Sequence, residues 1–244
     1  MIELRDLTTQ AELAEAVRVQ KAVWGFEDIE LLPVRLFGVA AKIGGQVMGA
    51  FDGERMVAFL LAVPGIKPGG GYYLHSHMLG VLPEYRDQGI GRGLKLRQRE
   101  DAVRRGIDLV EWTFDPLEIR NAYFNIERLG AIVRRYVLNK YGITTSALHG
   151  GLPTDRCVAE WWVWSERVRA LESGGPPARA AAAARISVPA SIARLRTEDP
   201  AQAREIQAAV SSQFVEHFQN GLAVTGFERS PQAGTYLLTP WDSK

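Results

Sequence analysis

The chain has 244 residues, 46% of them hydrophobic and 23% charged, and its net charge is +1. That composition fits a globular protein of one to two domains with a full core. It lacks the basic excess that a general nucleic-acid or membrane-surface role requires. The lone Cys157 excludes an internal disulfide and argues against a thiolate metal site. No apolar run nears the roughly 20 residues of a membrane span. The first residues show no basic region followed by an apolar one, so no signal peptide is expected and the cytoplasm is the default.

Residues 2–7 alternate apolar and polar, which predicts a half-buried strand. Thr9 and Glu12 have capping-box spacing and open a helix that runs to Trp24 and stops at Gly25, with Leu13, Ala16, Val17 and Trp24 on its inner face. A second helix starts at Pro33 and turns Leu36, Val39, Ala40 and Ile43 inward before Gly44 and Gly45. Residues 46–51 and 56–63 read as two strands of a hairpin around Asp52-Gly53. A Pro/Gly loop then leads into the central strand over residues 72–81.

Behind that strand stand a Pro83 turn, the run Arg86-Asp87-Gln88-Gly89-Ile90-Gly91-Arg92-Gly93, and a basic helix ending before Gly106. Strand, glycine loop and helix in this order aim loop amides and the first free helical N–H groups at one point, with the positive end of the helix dipole behind them. Glycine lets the backbone approach a phosphate closely. The order therefore predicts a diphosphate site. A P-loop would need Gly-x-x-x-x-Gly-Lys-Ser/Thr, which is absent, and glycines at 89, 91 and 93 break the dinucleotide fingerprint. Nucleotide binding by this loop remains a lesser alternative.

Further along, residues 108–114 form a buried-type strand ended by Asp115-Pro116, residues 117–129 a helix ended by Gly130, and residues 131–136 another strand. The loop Arg86-x-x-Gly89-x-Gly91 after Val81-x-Pro83, within this β-α-α-β-β-β-α-β-α-β order, resembles the acetyl-CoA site of the GNAT (GCN5-related) N-acyltransferases. The runs Trp112-Thr113-Phe114-Asp115-Pro116, Arg120-Asn121-Ala122-Tyr123-Phe124-Asn125 and Leu129-Gly130-Ala131 are similar to a bacterial branch of predicted acetyltransferases. The resemblance implies an α/β (α+β) GNAT fold, a mixed central sheet flanked by helices, with acetyl-CoA or another acyl-CoA as co-substrate and no metal. It implies a cofactor site of Leu79, Val81, Arg86, Gln88, Gly89, Ile90, Gly91 and Arg92, with Asn121 as the candidate for a pantetheine amide.

Two departures from the family pattern bear on the chemistry. The family's usual acid, a Tyr four residues before the Leu-Gly glycine, is replaced by Ile126, which leaves Tyr123 or Tyr136 as substitutes. The usual Asn is displaced as well, since Ile119 holds its place. The base often stands six residues before the Val of Val-x-Pro, which here is His75; an imidazole with pKa near 6.5 suits that task. Glu111 is the second candidate base. His75 and His77 share a strand face but lack a third ligand at metal spacing. Arg92, Lys95 and Arg99 share a helical face, either beside the phosphates or in solvent. Glu27, Asp28 and Glu30 lie in the inter-helix region that covers the acceptor in such folds, either greeting a cationic amine or simply solvated.

Past residue 142 the family pattern stops. Residues 158–164 read as a strand and 172–185 as a Gly/Pro/Ala linker or surface excursion in which residues 180–184 could turn helical. Residues 186–188 read as a strand, a helix runs from Asp199-Pro200 to Phe218, and a hairpin closes the chain. The expected organisation is an acyltransferase domain over 1–171, a linker over 172–185 and an α/β extension over 186–244. The extension is too small for its own core, so it is expected to pack on the first domain or on a second copy in a homodimer. The reaction implied is acyl transfer from CoA to a small-molecule amine, an amino acid among them. The alternative is a non-catalytic CoA-binding sensor.

Overall fold

The computed structural model describes residues 1–142, 151–175 and 179–241. Residues 176–178 of the expected linker, and His149, lie outside the described residues. Two compact units separate, Met1–Glu111 and the residues from Trp112 onward. Among the described residues no helix is long and apolar enough to cross a membrane.

The first unit contains β1 (Ile2–Asp6), α1 (Gln10–Trp24), α2 (Val34–Lys42), β2 (Gln46–Asp52), β3 (Arg55–Ile66), β4 (Tyr72–Val81), α3 (Ile90–Arg104) and the start of β5 (Leu109–Phe114). Its strands run in the order β1-β2-β3-β4-β5. All neighbours are antiparallel except β4 and β5, which are parallel, so the sheet is mixed. The capping box forms: Thr9 accepts from the Glu12 amide, and Glu12 accepts from the Thr9 amide. The Arg5 guanidinium and the amides of Thr8 and Thr9 hold the Glu12 carboxyl down to about 2. Gly25 ends α1 with a left-handed φ of 64°.

Helix α1 packs Trp24 edge-on against Phe59, with ring centroids 6.0 Å apart. The same indole lies on β4, where a Cβ on Gly80 would come within 2.8 Å of its ring. Only glycine leaves room there. Helix α2 is rotated from the expected face: Phe37 and Ala40 are buried, whereas Leu36, Val39 and Ile43 are exposed. Apolar residues occur on both sides of this short helix, and the large Phe37 ring takes the inward position against Phe59, 5.8 Å away.

The second unit continues with α4 (Ile119–Tyr123), a π-helical turn (Phe124–Arg128), β6 (Ile132–Val137), β7 (Arg156–Trp162), α5 (Glu166–Glu172), β8 (Ala184–Pro189), α6 (Ile192–Glu198), α7 (Pro200–Gln219), β9 (Leu222–Arg229) and β10 (Ala233–Pro240). Its strands run β7-β6-β9-β10-β8. The helix expected over 117–129 widens halfway, where the Leu129 amide reaches back to the Phe124 carbonyl at 3.1 Å. Arg167 donates to the Ile126 and Gly130 carbonyls around that turn. Residues 180–183 are not helical, and β8 begins at Ala184.

The C-terminal residues are built into this unit rather than appended to it. Phe214 on α7 stacks on Tyr136 and meets Tyr236 edge-on, each at 5.0 Å. The Tyr236 hydroxyl donates to the Pro116 carbonyl at 2.6 Å, and the Phe227 amide donates to Glu127 at 2.7 Å. Arg196, buried on α6, binds Asp115 at 2.7 Å and Glu118 at 2.6 Å. Phe214 is fully buried, so Phe214→Ala removes a ring on which three elements close. The expected cost is about 3–5 kcal/mol, read as a lowered melting temperature. A loss below about 1 kcal/mol would mean that α7 does not hold these elements together.

Candidate active site

The glycine loop takes its shape from its anchors. Leu82 donates its amide to Val57 at 2.9 Å, the Arg86 guanidinium reaches the Val81 carbonyl at 3.3 Å, and the Gln88 amide reaches the Glu84 carbonyl at 3.1 Å. Arg55 pairs with Glu84 at 2.7 Å, and Tyr85 donates to Asp52 at 3.0 Å. The chain then turns left-handed twice, at Asp87 (φ 63°) and at Gly89 (φ 79°), the residue that caps α3. A left-handed turn at a non-glycine residue is uncommon and is held only where the surroundings demand it.

The consequence is a concave run of amides. The Gly93 amide makes the first helical bond, to the Gly89 carbonyl at 2.9 Å. The amides of Ile90, Gly91 and Arg92 in the turn before it have no helical acceptor, as at every helix start. Alternating right- and left-handed residues aim such amides at one anion. A Cβ at Gly89 would meet nothing within 4 Å, so the space before the helix is open. The Arg92 Nε is buried and has no hydrogen-bond partner. An orphaned guanidinium nitrogen on the first turn and an open cradle of amides fit a phosphate group. The residues expected at the diphosphate therefore come together, with Leu79 and Val81 of β4 beside Gly91: a Cβ on Gly91 would lie 3.5 and 3.7 Å from them.

Strand β4 carries an irregularity that periodicity does not reveal. Leu61 faces Met78 and Ala62 faces Ser76, so His77 is an extra residue in the ladder, a β-bulge. The bulge shifts the alternation: Ser76 before it and Leu79 and Val81 after it all meet α3. His75 and His77 have ring centroids 5.9 Å apart, as residues on one face do. The ladder with β5 pairs Leu74 with Val110 and His75 with Glu111. In a parallel pair such partners leave the sheet on the same side, so the two candidate bases are neighbours. The His77 ring is open to solvent yet has protein on most sides, and that desolvation lowers its pKa below the ordinary histidine value.

In the second unit, Asn121 is exposed and accepts from the Asn125 amide at 3.2 Å. Tyr123 is half-buried beneath the Arg229 guanidinium, 3.8 Å from the ring centroid. Ile126, at the position of the usual acid, is fully buried. Tyr136 is half-buried, its hydroxyl is 2.9 Å from the Ser211 Oγ, and desolvation pushes its pKa up.

One expectation is overturned. Lys95 does not share a solvated or phosphate-facing side with Arg92 and Arg99, because it is 3% exposed. Its Nζ reaches the Ser76 Oγ at 2.9 Å and the Gln98 Oε1 at 3.0 Å, and burial lowers its pKa well below the ordinary lysine value. Gln98 in turn donates to Gln46 at 2.9 Å, and Gln46 donates to Asp101 at 2.7 Å. The missed signal was the row Leu94, Gln98 and Ala102, whose four-residue spacing turns the neighbouring Lys95 inward.

The mixed sheet, the splice of β4 through an amide cradle into α3, and the paired β5 are the architecture expected of the GNAT fold. Residues 11–130 match the sequence model of the Acetyltransferase (GNAT) family. Solved structures agree in fold. The ribosomal-protein-S18-alanine N-acetyltransferase of Escherichia coli is 16% identical and superposes with a TM-score of 0.51 over 67% of this chain and 94% of its own. Arabidopsis thaliana NAA60, in complex with a bisubstrate analogue, is 14% identical with a TM-score of 0.55 over 66% and 98%. yncA from Salmonella typhimurium, with its cofactor acetyl-CoA, is 14% identical with a TM-score of 0.54 over 68% and 95%. Among curated proteins, none matches significantly. Over residues 11–130 the chain is therefore similar to the GNAT acetyltransferases, and it shares the fold of these solved structures.

The cradle yields a direct test. Gly91 has no left-handed φ, and a Cβ there makes only ordinary contacts with Leu79 and Val81, so Gly91→Ala should fold. Gly91→Asp adds a negative charge at the phosphate position. Calorimetry should show its CoA affinity at least tenfold lower, about 1.4 kcal/mol, with Gly91→Ala as the folded control. Equal affinity for wild type and Gly91→Asp would end the diphosphate assignment.

Proposed function

We propose that this protein is an N-acyltransferase of the GNAT type that transfers an acetyl or other short acyl group from CoA to the amine of a small molecule, with an amino acid as the acceptor class. The observation that carries the cofactor half is the amide cradle between Asp87 and Arg92, which suits a diphosphate. The acceptor half draws on the acidic residues between α1 and α2. Glu27, Asp28 and Glu30 are the residues proposed to face a cationic acceptor, and Asp28 is also paired with Lys21 at 2.6 Å.

In this reading the diphosphate sits on the amides of residues 89–92, with Arg86, Gln88 and Arg92 around it. The pantetheine arm runs along β4 past Val81 and Leu79, and Asn121 binds one of its amides. The acceptor ammonium gives a proton to His75, directly or through water, with Glu111 as the second candidate. The free amine attacks the thioester carbonyl, whose developing oxyanion takes a hydrogen bond from a β4 amide. The tetrahedral intermediate collapses, the C–S bond breaks, and the thiolate leaves with a proton for which Tyr123 is the candidate donor. Alignment of two bound reactants supplies most of the acceleration.

His75→Gln keeps size and polarity but cannot take up a proton in this range. Its turnover should fall by roughly 10²–10⁴-fold while CoA still binds. The rise of rate with pH through the histidine range should disappear with it, because wild type is active only with a neutral imidazole. Retained turnover with the same pH limb would remove His75 from the mechanism and move the test to Glu111 and His77.

A further inference from the structure

A buried lysine on α3 touches the strand on which the proposed base stands. Lys95 sits one helical turn after Gly91, and both face β4, but on opposite sides of its bulge. Gly91 lies against Leu79 and Val81, beyond the extra residue, while the Lys95 Nζ holds the Ser76 Oγ, just before it. One face of one helix therefore spans the irregularity. Between those contacts lies His77, the residue without a ladder partner on β3, with His75 next to Ser76 on the other side.

We propose that Lys95 is a positioning residue: its bond to Ser76 fixes the β4 bulge and thereby the placement of the His75 and His77 imidazoles. A bulge adds freedom to a strand, because the extra residue is not held by the ladder. The ladder with β3 leaves that freedom at His77, so a hydrogen bond at the preceding side chain is what can restrict it. Ser76 is buried, and so are Lys95 and Gln98, which excludes water as an equal substitute for this bond. The chain does not end at the lysine. Gln98, Gln46 and Asp101 continue it across α3 and β2, and Asp101 is bound in turn by Arg104 and Arg105. A side chain anchored at both ends holds its partner more firmly than one free to rotate. The same helix begins with the amide cradle, so cofactor site and imidazole pair are referenced to one rigid element.

The role assigned to the imidazoles rests on the function proposed above, but the link itself is measurable without turnover. With ring-labelled histidine, the His75 and His77 signals are assigned from His75→Gln and His77→Gln, and His217, which belongs to the second unit, serves as the control. Lys95→Met and Ser76→Ala should each move the His77 ring signal and its titration midpoint and leave His217 in place. The double variant should move them no further than either single one, the mark of one shared interaction. In turnover, each should lose about tenfold in kcat with KM for acyl-CoA kept. If Lys95→Met fails to fold, Ser76→Ala, which removes one oxygen, carries the test alone. Unmoved His75 and His77 signals in a folded Ser76→Ala would overturn the proposal, as would additive shifts in the double variant. Moved signals without activity in wild type would instead leave the link standing and remove the acyltransfer reading.

Discussion

One extra residue in β4 sets the geometry of the first unit. Without the bulge at His77, strict alternation would put Ser76, Met78 and Gly80 on one side of the sheet. With it, Ser76, Leu79 and Val81 all face α3, and Gly80 is left to receive the Trp24 indole of α1. A strand of ten residues thus serves two helices on opposite faces. The contact of α3 with both halves of β4 follows from that single displacement.

Polar burial is unusually concentrated around it. Lys95, Gln98 and Gln46 are each less than 5% exposed and bonded in series. An amine so deep would be costly if unpaired, since desolvation penalises its charged form. Its hydrogen bonds answer that cost, and in exchange the contact between α3 and β4 acquires a direction that apolar side chains do not provide. The second unit uses another device. It closes on aromatic rings around Phe214 and on the Arg196 carboxylate pairs, which tie residues after 186 to those between 115 and 137.

Much of the fold was legible because its signals are local. The capping box at Thr9, the Gly25 stop, the Asp52-Gly53 hairpin and the Asp199-Pro200 helix start each encode themselves within a few residues, and the loop from Arg86 to Gly93 does the same for the cradle. What escaped depends on partners distant in sequence. Nothing in the run Val34 to Ile43 says which of two apolar faces is inner until Phe37 meets Phe59. The spacing of Arg92, Lys95 and Arg99 is helical whether the lysine is in solvent or in the core, and Ser76, which draws it inward, stands 19 residues earlier. The bulge and the π-helical turn are each one residue added to a regular pattern. Neither alters the composition of its element, so neither leaves a mark in the sequence. The two seven-residue helices α5 and α6 are too short for their periodicity to stand out.

The proposed chemistry joins a cradle for a diphosphate to a strand that carries a base. The measurement that tests this most directly is the release of CoA thiol from acetyl-CoA in the presence of single amino acids and other small amines, with the acceptor product followed by mass spectrometry in the same samples. The account predicts thiol release only with a competent amine, one acetylated amine per thiol, and a rate that rises through the histidine pH range. Tight CoA binding with no amine-dependent thiol release across the panel would contradict it.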